Sequence, residues 1–253
     1  MISKKGKSLC FFSAKGGVGK TTNLLNLAGI FEQLEKRVLV MDLDLYSGGV
    51  AAYLNKKGDK SIFHMVFDIE NGSYKNINDY TTRVDNYIDI ICAPVDPRDA
   101  NKIDAKYINF AIEEAKSKYD VVLIDTNHAL NDVNLTILDA VDKITFFITN
   151  DPIDLKNIRS LLSIFDNLNY GNYKILLNYS RDPFKTYFSF FETRKIINHH
   201  IDYTLSSDMF LKDMDKMVMK GAIISLDKKF ADVMSDDYQT FVTMATDLLE
   251  GNN

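Results

Sequence analysis

The sequence predicts a three-layer α/β fold, a mostly parallel sheet with helices on both faces. Three observations carry that prediction. Ser8–Ser13 is a run of six strand-favouring residues that enters a glycine-rich turn, Ala14-Lys-Gly-Gly-Val-Gly-Lys-Thr-Thr22, and the turn feeds a helical pattern. Continuous apolar runs at 37–42, 119–125, 143–149 and 173–178 read as strands buried on both faces, as strands of a parallel sheet are. Helical patterns at 21–35, 104–117 and 153–168 stand between those runs.

The turn is the first element with chemistry in it. Gly16, Gly17 and Gly19 carry no Cβ, so the backbone can bend tightly and face its N–H groups inward on an anion. The start of the following helix adds unpaired N–H donors and the positive end of its dipole. Lys20 is placed to reach β- and γ-phosphates, and the Thr21 hydroxyl to hold Mg²⁺. The predicted phosphate cradle is therefore Lys15, Gly16, Gly17, Val18, Gly19, Lys20, Thr21 and Thr22. The general phosphate-loop pattern has a glycine five residues before Gly19; this chain has Ala14 there, followed by Lys15.

Lys15-Gly-Gly-Val-Gly-Lys-Thr-Thr22 resembles the loop of the MinD/ParA family of P-loop ATPases, which carries an extra lysine at this place. The resemblance implies ATP and Mg²⁺ as cofactors, slow ATP hydrolysis, and a homodimer when ATP is bound. It also implies that Lys15 reaches across the dimer to the nucleotide of the partner subunit, acting there on transition-state charge as an arginine finger does.

The second strand, Arg37–Asp42, ends in Asp42-Leu-Asp-Leu-Tyr-Ser-Gly-Gly49. Side chains alternate along a strand, so Asp42 and Asp44 start on the same side, at the sheet edge where ligands bind in open α/β sheets. By resemblance Asp44 orients the attacking water, and Asp42 organises the Mg²⁺ together with Thr21 and Asp125. The continuation Tyr46–Leu54 is similar to the CpaE/TadZ pilus-assembly ATPases, with Tyr46 where that subgroup has Gln and Gly49 where it has an acidic residue.

Tyr119–Asp125 supplies the next acidic strand end, and Asp125 is expected to hold Mg²⁺ through water. The family follows this aspartate with Thr-Pro-Pro-Gly, and this chain with Thr126-Asn-His-Ala129. His128 reads as a polar loop residue, a catalytic base being the alternative. A short helix at 134–140 precedes the strand Lys143–Thr149 and the helix Ile153–Leu168. The strand Tyr173–Asn178 ends on an amide that, by resemblance, reads the adenine edge, for which a paired donor and acceptor suit it. Ile201–Asp208 corresponds to the last strand, with Ser206 in place of the usual proline.

Elsewhere the sequence offers less. Residues 1–7 form a loose basic leader, 56–86 are polar around one helical pattern at 62–69, and Tyr87–Pro94 is a further strand. Phe184, Tyr187, Phe188, Phe190 and Phe191 read as core packing, a partner surface being the alternative. His199-His200 has no further His or Cys at ligand spacing. Two helices, 209–220 and 230–249, close the chain, and the methionines at 209, 214, 217, 219, 234 and 244 read as gap-fillers. The tail is acidic, unlike the basic amphipathic membrane helix of MinD-type proteins.

The 253 residues, 46% hydrophobic and 26% charged, suit one ATPase domain over 1–253, with no receiver domain before it. No apolar run approaches a membrane span, and the apolar stretch after the basic start breaks too early for a signal peptide. Cys10 and Cys92 read as buried thiols, which with a nucleotide site points to the cytoplasm, the pole or inner membrane face being reached through partners. A net charge of −5 argues against strong DNA binding.

The expected function is an ATP-driven dimerisation switch that positions a cellular machine, by resemblance a pilus or secretion apparatus. A ParA-type partitioning switch and a MinD- or flagellar-number-type regulator are the alternatives within the family. A scaffold that binds nucleotide without hydrolysing it is the alternative of another class, kept open by Thr126–Ala129. An electron-transfer relative is excluded, because two isolated cysteines do not ligate a shared iron–sulfur cluster.

Overall fold

The computed structural model describes residues 5–179, 187–207 and 219–250. Eight strands form one sheet: β1 (Lys7–Phe12), β2 (Val38–Leu43), β3 (Thr82–Arg83), β4 (Ile88–Ile91), β5 (Val121–Thr126), β6 (Lys143–Ile148), β7 (Tyr173–Asn178) and β8 (Tyr203–Leu205). Their order is β3-β4-β2-β5-β1-β6-β7-β8. β1 is central and parallel to β5 and β6, and every pairing is parallel except that of β3 with β4. The antiparallel β3 lies within 56–86, where the sequence reading had no strand; two residues are too few to show periodicity.

Helices cover both faces. On one, Leu9 and Phe11 of β1 pack toward α1 (Lys20–Gln33), α2 (Val50–Tyr53) and the C-terminal α9 (Lys228–Val233) and α10 (Ser235–Glu250). On the other, Cys10 and Phe12 pack toward α3 (Ile62–Glu70), α5 (Lys106–Lys118), α6 (Asp132–Ala140), α7 (Pro152–Asn167) and α8 (Phe190–Ile197). The short α4 is Pro97–Ala100. Alternation on the strand thus feeds two cores, and the neighbouring phenylalanines follow suit: Phe11 meets Phe147 at 4.6 Å and Phe12 meets Phe146 edge-on at 6.2 Å. Gly29 lets the 223–226 segment close on α1, since a Cβ there would lie 2.3 Å from Ser225 Oγ. Cys10 and Cys92 are free and buried. Among the described residues no helix is long and apolar enough to cross a membrane.

Three expectations change. The segment 230–249 is two helices, α9 and α10, parted at Met234. The buried carboxylate of Asp237 accepts the Ser206 N–H and hydroxyl at 2.7 Å each and ties the first turn of α10 to the loop after β8. The aromatic segment is not core at three of its positions: Tyr187, Phe190 and Phe191 are 53%, 42% and 74% exposed, while Phe188 packs on the core in part. Phe184 and the methionines at 209, 214 and 217 lie outside the described residues. Met244 is buried and Met234 packs beside it, but Met219 is exposed rather than gap-filling. His199 is spoken for, its ring nitrogens meeting the Ile197 carbonyl at 2.9 Å and Asp166 at 3.0 Å.

Candidate nucleotide site

β1 runs straight into the glycine-rich turn, and α1 starts where the turn ends. Gly17 (φ 74°) and Gly19 (φ 98°) sit in the left-handed region, where a side chain is strained. At Gly19 a Cβ would also lie 2.9 Å from Asn178 Nδ2. Ser13 holds the turn together: its hydroxyl donates to the Lys15 carbonyl at 2.7 Å and accepts from Lys20 Nζ at 2.7 Å. Lys20 is buried, and burial pushes its ammonium pKa down against the pull of Asp125 and Asp44.

Thr21 and Asp125 come together, the hydroxyl donating to Asp125 Oδ2 at 2.5 Å. The second oxygen, Asp125 Oδ1, is buried and has no partner among the described residues. Burial raises the Asp125 pKa to about 6 against the Thr21 hydrogen bond and the Lys20 charge. An orphaned carboxylate oxygen beside a hydroxyl and a phosphate cradle suits Mg²⁺, which is commonly held by one or two carboxylates with the rest of its shell from water and phosphate. Thr21 and Asp125 are the residues that would hold the ion.

Asp42 lies level with Asp125 on the adjacent strand. Its oxygens accept backbone N–H groups, from Val50 at 3.0 Å and Asp44 at 3.3 Å, so it fixes the 44–50 loop from behind. Asp44 is partly exposed and accepts the Ser47 N–H at 3.3 Å. It borders a cavity of about 530 Å³ shared with Gly16, Gly17, Val18, Gly19, Lys20, Thr21, Thr22, Tyr46 and the 126–129 loop. The exposed His128 ring stands at the mouth, with Nδ1 3.4 Å from where a Gly16 Cβ would be.

A second cavity, of about 320 Å³, opens on the other side of the loop, between Lys15–Val18, Thr149–Asp151, Asn178, Tyr179 and Tyr187. Asn178 is buried here and donates to the Val18 carbonyl at 2.9 Å, bracing the loop. Lys15 pairs with Asp151 at 3.1 Å. Asp151 also caps α7 through the N–H groups of Ile153 and Asp154. Ser13 and Asp151 are site residues that sequence reasoning missed. Asp151-Pro152 is a readable helix start, but nothing along the chain says that Lys15 lies against it.

Residues 6–177 match a family model described as an AAA domain. Over 173 residues the chain is 26% identical to the chromosome-partitioning ATPase Soj of Thermus thermophilus, covering 68% of this chain and 66% of that protein. The chain belongs to this AAA-domain family, in its MinD/ParA branch of P-loop ATPases. The sporulation initiation inhibitor protein Soj of Bacillus subtilis is 28% identical over 169 residues, 62% of this chain and 64% of that protein. The matched stretch thus spans just under two thirds of these relatives' own lengths. Among solved structures, the ParA family ATPase from Chlorobium tepidum superposes with TM-score 0.81 at 20% identity, covering 96% of this chain and 98% of that one. MinD of Pyrococcus horikoshii with Mg-ADP does so with TM-score 0.78 at 18% identity, covering 97% and 98%. These two likenesses show that the MinD/ParA fold extends past the matched segment through most of the chain.

Asp125→Asn separates the protein's own needs from those of the ion. Asn keeps an acceptor for Thr21 and removes one of two buried neighbouring carboxyls, both pushed up first by burial. A carboxyl whose pKa is raised on folding destabilises the fold once pH passes its unfolded value. In Mg²⁺-free buffer at pH 7 the variant is therefore expected to gain roughly 1–2 kcal/mol. It is also expected to lose the extra stability that Mg²⁺ with nucleotide confers. Paired thermal melts check both; a variant less stable without Mg²⁺ would show that the protein alone satisfies this carboxylate.

Proposed function

We propose that this chain binds ATP, hydrolyses it slowly, and uses the cycle as a dimerisation switch that positions a cellular machine. The reading is carried by one observation: the buried Lys20 ammonium, the Thr21–Asp125 pair and the Gly17 and Gly19 turn meet at one cavity. Mg²⁺, when bound, supplies charge neutralisation at the phosphate oxygens. Lys20 and the loop N–H groups hold the phosphates, Asp44 orients the attacking water, and Asp42 keeps the Asp44 loop in place beside the metal. Asn178 and the 320 Å³ cavity serve the nucleoside side.

Lys15 provides the switch. Its ion pair with Asp151 is partly exposed, 42% and 29% at the side chains, and such a pair contributes no more than about 1 kcal/mol. A partner subunit's ATP can draw Lys15 away at small cost, which couples nucleotide to homodimer formation. Light scattering with Mg²⁺ and ATP or ADP tests this, on wild type and Lys15→Ala. The wild type is expected to dimerise with ATP alone. Lys15→Ala is expected to release phosphate at least roughly 10²-fold more slowly. A monomer, or a constant dimer, in every nucleotide overturns the switch. Phosphate release unchanged from a low wild-type background supports the non-hydrolysing scaffold instead.

The Asp42-Leu-Asp-Leu pattern and its continuation favour pilus assembly or secretion as the machine, with the protein cytoplasmic and brought to the pole or inner membrane face by a protein partner. Partitioning is the second reading, favoured by the likeness to the chromosome-partitioning ATPase Soj of Thermus thermophilus. A DNA mobility shift that weakens steeply with salt would select it, against the net charge of −5.

A further inference from the structure

The opposite edge of the sheet carries a cavity of its own, about 250 Å³, with Lys7, Asp142, Lys143, Tyr173, Lys174 and Leu248 in its wall. β6 begins here at Lys143 and ends beside Asp151. Six residues of strand, at about 3.3 Å each, put the cavity roughly 20 Å from the phosphate loop.

Three lysines, Lys7, Lys143 and Lys174, line this space, and their ammonium groups are not equally occupied. Lys174 pairs with Asp202 at 2.9 Å, and Lys7 reaches Asp142 only at 3.9 Å. Lys143 Nζ is buried and has no hydrogen-bond partner among the described residues. The carboxylates nearby are already engaged. Asp142 accepts the Ser8 N–H at 2.8 Å and its hydroxyl at 2.9 Å, and pairs with Lys116 at 3.0 Å. Asp202 accepts the Ile175 N–H at 2.9 Å besides Lys174, and Asp247 accepts the Tyr203 hydroxyl. Burial pushes the Lys143 ammonium pKa down; Lys174 and Lys7 push the same way, against Asp247 and Asp202. A buried cation with no acceptor is costly, and a ligand that supplies one removes that cost.

We propose that this cavity binds a small phosphate-bearing anion, with Lys143 at its centre and Lys7 and Lys174 on its flanks. Ammonium groups act as separate point charges, which suits a tetrahedral dianion with several oxygens. A lone carboxylate is better matched by the fork of an arginine, and none lines the cavity. The volume exceeds that of a phosphate group, and Tyr173 and Leu248 offer a less polar wall to a small organic carrier. Free phosphate and a phosphate monoester share this chemistry.

The test uses the full chain loaded with Mg²⁺ and ADP, so that the phosphate loop is filled, and titrates inorganic phosphate and glycerol 2-phosphate by calorimetry and thermal shift. Wild type is expected to bind at least one of them and to melt at higher temperature in its presence; the tighter ligand identifies the source. Lys143→Met keeps the apolar stem and removes the charge. It is expected to weaken this binding at least roughly tenfold, to melt higher than wild type without phosphate, and to keep its ADP affinity. Lys174→Met is the second variant, expected to weaken binding in the same direction should Lys143→Met not fold. No binding up to about 20 mM of either anion, or equal binding by wild type and the folded variants, overturns the proposal. ADP affinity is measured in the same samples, so a failure at the phosphate loop is seen separately.

Discussion

Lys20→Ala is expected to lose ATP affinity by roughly 10²–10³-fold while the fold survives. The ammonium is buried at the floor of the turn and, among the described residues, donates to the Ser13 hydroxyl, itself committed to the loop. A group so placed is already desolvated, so a phosphate meets it without stripping much water from it. Truncating one member of a buried, hydrogen-bonded charge pair costs about 3–4 kcal/mol in binding, which gives the range above. Stability without nucleotide responds in two directions. Removing Lys20 relieves its burial, but it also takes a compensating charge from Asp125. The net change is therefore expected to be small beside the loss in binding. Calorimetry with a slowly hydrolysed ATP analogue, together with thermal melts, checks both parts. Lys15→Ala serves as the contrast, because Lys15 lies on a partly exposed ion pair and is expected to contribute little to its own subunit's affinity. Binding by Lys20→Ala within tenfold of wild type would move the phosphates elsewhere.

The residues that were legible in sequence are those whose chemistry is local. A phosphate cradle needs consecutive N–H groups, a positive-φ turn and a helix start, and these must be contiguous; hence Gly16 to Thr22 could be named as a candidate cradle from the sequence, and the turn and helix start stand there in the fold. Asp125 and Asp44 were legible because each ends an apolar strand, and strand ends in a parallel sheet share one edge. Ser13 and Asp151 were not, because each acts through the approach of β1 and β6, and no spacing along the chain encodes that approach. The aromatic segment misled for a related reason. Ser189 and Glu192 form a capping box that starts α8 just after Phe188. Once the helix starts there, Thr193 and Ile197, four residues apart, become its buried face, and Phe190 and Phe191 are turned out. A helical face was the right expectation, but the capping residues, rather than the aromatic ones, decide which face is buried.

Asp44→Ala should separate binding from turnover more cleanly than any other substitution in the site. The carboxylate borders the 530 Å³ cavity, and among the described residues no hydrogen bond or ion pair joins it to Lys20 or Thr21, so its loss leaves the Lys20–Ser13 and Thr21–Asp125 contacts whole. Its backbone is held from beneath by Asp42, which accepts the Asp44 N–H at 3.3 Å and the Val50 N–H at 3.0 Å, so the loop keeps its path in the variant. Removing a side chain that orients or deprotonates the attacking water typically slows chemistry by about 10²–10⁴-fold. ATP affinity is expected to stay within about threefold of wild type, since the charge-assisted contacts to the phosphates remain. In the proposed cycle hydrolysis releases the dimer, so the variant should hold its ATP-bound dimer long after wild type has returned to monomer. Phosphate release and time-resolved light scattering on the same sample decide the matter. Asp44→Asn refines it: the amide oxygen can still accept the Ser47 N–H and position water but takes no proton, so a rate above that of Asp44→Ala would assign part of the effect to orientation. Turnover near the wild-type rate in both variants would remove Asp44 from the chemistry. His128, beside Gly16 at the same mouth, would then be the next group to replace.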